Sequence, residues 1–164
     1  MNASLSTFGW VHTGLSVIAL LSGIVVVAGI LYSRRMARLT ALFLASAFAT
    51  SATAFGFGGF GPAQWIGVAS LALIAIAIAA RYAFHLAGAW RSIYAVAAVF
   101  TLYFLVFVTI AEAFKRIPLL ARTAPTLTET PFKLTQLVSL LLFVGLASFA
   151  ARHFRYHRAV NQPT

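Results

Sequence analysis

Cysteine is missing from all 164 residues of this chain, aspartate is missing too, and glutamate occurs only at positions 112 and 129. Without cysteine there is no disulfide framework, no thiolate metal site and no attachment point for a c-type haem. Two carboxylates leave two-carboxylate acid–base catalysis almost nothing to work with. Charge of either sign is scarce. Only 9% of the residues are Asp, Glu, Lys or Arg, against about a quarter in an ordinary soluble domain. That is too little polar surface to cover a water-soluble globule. Disorder is excluded from the other side, because it needs low hydrophobicity and 62% of this chain is apolar. The sequence also holds no phosphate-cradling glycine loop, no His-Glu-x-x-His zinc helix and no nucleophile elbow. The first ten residues carry no Lys or Arg, and the apolar run after them is too long for the core of a cleaved signal peptide.

What is present is a series of apolar runs. A hydrocarbon core of roughly 30 Å needs about 20 helical residues at 1.5 Å each. Five runs meet that length: about 8–32, 39–57, 65–82, 92–114 and 132–151. The segment Leu71 to Ile78 alternates Ala with Leu or Ile, which in isolation reads as a strand. A lone strand in lipid leaves its backbone unpaired, and a barrel would alternate polar with apolar, so helices are expected throughout. The predicted fold class is all-α: a single integral membrane domain of five transmembrane helices.

The charges sort by position. Arg34, Arg35 and Arg38 lie between spans one and two, Arg81 and Arg91 between three and four, and Arg152, Arg155 and Arg158 after span five. An odd number of spans puts these eight on one side, against Lys115, Arg116, Arg122 and Lys133 on the other. Basic residues accumulate on the cytoplasmic side, so the N-terminus is expected outside and the tail, 152–164, in the cytoplasm. Trp10, Trp65 and Trp90 fall at span ends, where aromatic belts form. Because the basic residues sit at the ends of apolar runs, the net charge of +10 points to anionic lipid and not to nucleic acid. Ala41, Ala45, Ala49 and Thr53 recur every four residues in the second span, and Gly14, Gly23, Gly29, Gly67 and Ala75 are further thin places. Such stripes let helix backbones approach closely, either inside the bundle or toward a partner. Pro118, Pro125 and Pro131 are expected to keep the loop 115–131 from forming a long helix, with Leu119 and Leu120 touching the interface.

Ionisable groups inside a span are costly and are functional candidates for that reason. His12 lies roughly 6 Å inside the outer edge of the first span. Glu112 lies near the same edge of the fourth, and Gln64 is at a similar depth in the third. His12 and Glu112 are expected to approach across two helices, as a polar clasp, a proton relay or an outer gate. At the cytoplasmic edge Arg81, His85, Arg91, His153 and His157 form a second group. It reads as lipid-anchoring charge, as an anion site, or as His85 paired with His153 on a b-type haem. His12 and His85 lie near opposite faces of the bilayer, too far apart to share one iron. The mid-membrane carries hydroxyls (Thr50, Ser51, Thr53, Thr101 and Tyr103) and no charge, which argues against a proton-driven pump.

The stretches Phe8-Gly9-Trp10-Val11-His12-Thr13-Gly14 and Tyr82-Ala83-Phe84-His85-Leu86-Ala87-Gly88-Ala89-Trp90-Arg91 resemble those of a group of small multi-pass bacterial membrane proteins with no assigned activity. The resemblance implies a bacterial inner-membrane location and carries no chemistry. The expected function is that of a small non-enzymatic integral membrane protein, an accessory or structural subunit of a larger membrane complex, with other subunits or a second copy as partners. The alternatives are a redox protein binding haem b or a quinone, and a small transporter or channel gated by His12 and Glu112.

Overall fold

The computed structural model describes residues 7–34, 36–57 and 61–154. Every regular element among the described residues is helical: α1 (Thr7–Leu31), α2 (Ala37–Thr53), α3 (Pro62–Ile78), α4 (Trp90–Arg116), α5 (Pro118–Thr123) and α6 (Thr130–His153). All but the short α5 have the length and apolar composition to cross a membrane. A 3₁₀ turn, Ala54–Phe57, prolongs α2, and a π turn, Ala79–Ala83, prolongs α3. Helices long and apolar enough for the five expected spans are therefore found, each within a few residues of the expected bounds.

The strand-like alternation of Leu71 to Ile78 lies in α3. The residues that α3 buries there, Ser70, Ile74 and Ala77, follow the 3–4 spacing of one helix face. Proline acts as a starter as well as a breaker. Pro118 opens α5 and Pro131 opens α6, where the missing N–H would have no intrahelical partner in any case. The segment expected to be loop thus contains a short helix, and Leu119 on it is 73% exposed.

Helices α1, α2, α3 and α4 pack in a ring, each against the next and α4 against α1. Helix α6 lies outside the ring, along α4 and lightly against α1. This makes α4 the central element, and it buries the most residues, with Tyr94, Ala95, Ala98, Val99 and Thr101 essentially inaccessible. In lipid the apolar effect does not drive helices together, so close fit and hydrogen bonds must do so. Gly23 supplies the close fit. A Cβ there would stand 2.7 Å from Phe43 and 2.9 Å from Leu102, so α1, α2 and α4 meet at a point that only glycine permits. A cluster of rings joins α4 to α6, with Tyr103 5.6 Å from Phe143 and 5.5 Å from Phe104. Ring pairs of this kind contribute about 0.5–1.5 kcal/mol beyond the area they cover. Ser51 donates to Ser70 at 3.1 Å, tying α2 to α3.

The four-residue stripe of α2 packs only at its far end, where Ala49 and Thr53 are half-buried and Thr53 meets His12 of α1. Ala41 and Ala45 are exposed, and Phe43, Leu44, Ala47, Thr50 and Ser51 face inward instead. Phe43 reaches the groove that Gly23 leaves open.

Candidate functional site

The up-and-down order of the helices creates two polar ends. One, here the acid-bearing end, gathers the start of α1, the end of α2, the start of α3 and the α4–α5–α6 connection. It holds both glutamates. The other, the acid-free end, gathers the α1–α2 and α3–α4 turns and the end of α6.

At the acid-bearing end, His12 Nδ1 lies 2.8 Å from Thr53 Oγ1. The Thr53 hydroxyl is also 2.7 Å from Ala49 O. The Thr53 hydroxyl thus stands between His12 of α1 and the backbone of its own helix. The carboxylate of Glu112 accepts from Lys115 Nζ and Arg116 Nε, each at 3.0 Å. These partners follow Glu112 by three and four residues, so one turn of α4 neutralises its own acid. Helices α1 and α4 pack together. His12 and Glu112 lie at the same end of the bundle, and each has hydrogen-bond partners of its own. Gln64 is buried and bonds locally, its Oε1 accepting from Gly61 N at 2.9 Å to close the first turn of α3.

Two further features of this end were not singled out from the sequence. Gln136 is buried in α6 and donates from Nε2 to Phe107 O of α4 at 3.1 Å, while its own Oε1 has no donor. The signal was available, since Gln136 is the only amide side chain between 132 and 151. Glu129, just before α6, accepts from Thr126 Oγ1 at 2.7 Å and from the amide of Thr128 at 3.0 Å. The hydrogen bond from Thr126 holds its carboxyl below the ordinary value of 4.5.

At the acid-free end, the π turn carries Arg81 over two rings, 5.5 Å from that of Tyr94 and 5.7 Å from that of Tyr82. Tyr94 is buried, and its hydroxyl lies 3.4 Å from Thr40 Oγ1 on α2. One arginine is thus held by ring faces in place of a carboxylate. Arg91 has its Nε buried without a partner. In the turn between them His85, Leu86 and Gly88 all have positive φ, at 49°, 57° and 51°. A left-handed leucine costs about 1–2 kcal/mol, and the offset is visible, because this conformation tucks Leu86 into the core. His85 is left exposed. His153 is exposed as well, stacked on Phe149 of its own helix at 4.0 Å with Nδ1 3.0 Å from Phe149 O. The segments that carry His85 and His153 both reach Tyr94 of α4, through Arg81 over its ring and through Phe154, whose ring is 6.0 Å away. No group of three or more His, Cys, Asp or Glu side chains converges among the described residues. His157, with Arg155 and Arg158, lies outside them.

Comparison of the chain with family models, with curated proteins and with solved structures gives no match.

Proposed function

We propose that this chain is a small non-enzymatic membrane protein that works by helix packing, as an accessory subunit of a larger membrane complex. The observation that supports this reading is the outward placement of close-packing surface. The α2 stripe presents exposed Ala41 and Ala45, with Leu42 and Phe48 beside them at 47% and 53% exposure. Small residues flanked by larger ones let a second helix approach closely. Helix α6 adds a second such face, where Gly145 has open space around it between exposed Leu141, Leu142 and Phe149. Several polar groups inside the spans join helices, Ser51 to Ser70, His12 to Thr53 and Gln136 Nε2 to Phe107 O, which suits a packing role.

The same reading puts the chain in a bacterial inner membrane, with the acid-free end in the cytoplasm. Two things support it: the resemblance around Phe8–Gly14 and Tyr82–Arg91, and the basic bias of eight residues to four. The test is extraction from the native membrane in a gentle detergent, followed by intact mass measurement. An assembly heavier than one chain plus lipid is expected. A lone chain from the same membrane would count against the proposal, and Ala41→Leu combined with Ala45→Leu should dissociate the assembly without unfolding the monomer.

A further inference from the structure

We infer that the acid-free end of α1 carries a binding groove for one anionic phospholipid, with an acyl chain along the helix and the phosphate on Arg34. The groove has a volume of about 410 Å³ and is lined by Ile24, Val25, Ala28 and Gly29 below, Met36 at the side, and Tyr32 and Arg34 at the mouth. The groove is open along its length, with Ile24, Val25 and Tyr32 all exposed, and so suits a chain lying along the helix and not an enclosed ligand. Its chemistry runs in the order of a phospholipid: aliphatic side chains first, then a phenol at interface depth, then a guanidinium.

The shape follows from how α1 ends. Ser33 takes a left-handed conformation with φ 53°, and the amide of Arg34 bonds back to Gly29 O at 2.8 Å. This is a Schellman-type close of the helix. It holds Arg34 over the last turn of α1 and keeps it out of a free linker. Met36 then folds back against Gly29, whose absent side chain leaves room: a Cβ there would stand 2.9 Å from the methionine sulfur. From Ile24 to Arg34 the groove follows about three turns of chain, roughly 15 Å.

Charge complementarity supplies the occupant. Arg34 forms no ion pair among the described residues, and both glutamates of the chain stand at the opposite end, where Glu112 is held by Lys115 and Arg116. A guanidinium at the head of an apolar trench is matched by a phosphate that carries a hydrocarbon chain, and not by a free anion. The inference goes beyond the packing role and does not depend on it, since its readout is lipid retention and not assembly mass.

The experiment uses the full chain in bilayer discs of phosphatidylcholine doped with phosphatidylglycerol, reading retained lipid by native mass spectrometry. The protein is expected to retain phosphatidylglycerol over phosphatidylcholine, and Arg34→Gln to lower that preference about fivefold, the equivalent of the roughly 1 kcal/mol that one arginine contributes near an anionic surface. Ala28→Trp, which fills the trench, is expected to lower retention of both lipids. Arg152→Gln, at the same end but outside the groove, should lower the preference clearly less than Arg34→Gln does. Equal losses in Arg34→Gln and Arg152→Gln would reduce the effect to general surface charge and overturn the inference. Displacement of the lipid by inorganic phosphate would also overturn it, because the chain would then contribute nothing. Should Ala28→Trp fail to fold, the two arginine variants decide the question, since both side chains are exposed.

Discussion

The two ends of this bundle handle charge in opposite ways. At the acid-bearing end each glutamate is already occupied: Glu112 by Lys115 and Arg116, and Glu129 by Thr126 and Thr128. Cross-helix contacts there are polar as well, from His12 to Thr53 and from Gln136 to Phe107 O. At the acid-free end no ion pair forms among the described residues. Arg81 leans on tyrosine rings, the Nε of Arg91 is buried alone, and the helices are joined by serines that donate to His153 O and Ala151 O. One end engages both of its acids within the protein, with Arg122 and Lys133 left over among the described residues. The other leaves its charges for whatever lies outside, and in a membrane that is the lipid head group.

Removing the contrast altogether should have the largest effect. Replacing Arg34, Arg35 and Arg38 by alanine cuts the basic bias from eight against four to five against four. The expected outcome is a mixed orientation in the membrane, measured as the fraction of chains whose α3–α4 turn is accessible from each side; a single orientation would show that loop charge does not set the topology. Next in size is Gly23→Leu, midway between the ends. Overpacking against Phe43 and Leu102 should cost about 1–3 kcal/mol or more and loosen both ends together, read from thermal unfolding in detergent. Loss of order at one end alone would mean that the ends are not coupled through this crossing.

Smaller effects separate the ends. Glu112→Gln releases two partly exposed ion pairs and should cost about 0.5 kcal/mol, whereas Arg152→Gln at the other end should cost nothing measurable. Equal costs would erase the distinction. The smallest effect is that of pH on Glu129. Its carboxyl is held low in the folded chain by the Thr126 hydrogen bond, so its contribution is present above the ordinary value of 4.5 and fades as pH falls through the folded value. Amide exchange at the start of α6 should therefore quicken on acidification below that point, and Glu129→Gln should remove the dependence.

The spans were legible in the sequence because their length and apolarity reflect the thickness of the surrounding hydrocarbon. Which face each helix turns inward was not. In a soluble helix the polar side marks the surface, but here Ala41 and Ala45 on the outside are as apolar as Phe43 and Ala47 on the inside. The hydroxyls of Thr40, Ser46, Thr50 and Ser51 all turn inward, and the fit of the Phe43 ring to the gap at Gly23, which joins two helices, goes with that rotation. The site was partly legible. Depth alone brought His12 and Glu112 to one end, yet the partners they take, Thr53 and the next turn of α4, depend on rotamers and rotation. The positive φ of His85 and Leu86 carries no local signature either, because neither residue is a glycine. It is imposed by the burial of Leu86.

Because the chain has no native cysteine, one labelling experiment tests the two-ended arrangement cleanly. Single variants Ala87→Cys, in the α3–α4 turn, and Arg122→Cys, on α5, are each exposed and are probed with an impermeant thiol reagent in sealed, oriented vesicles. Five crossings predict that the two sites react from opposite sides. Reaction of both from the same side would contradict the bundle as a membrane-spanning structure.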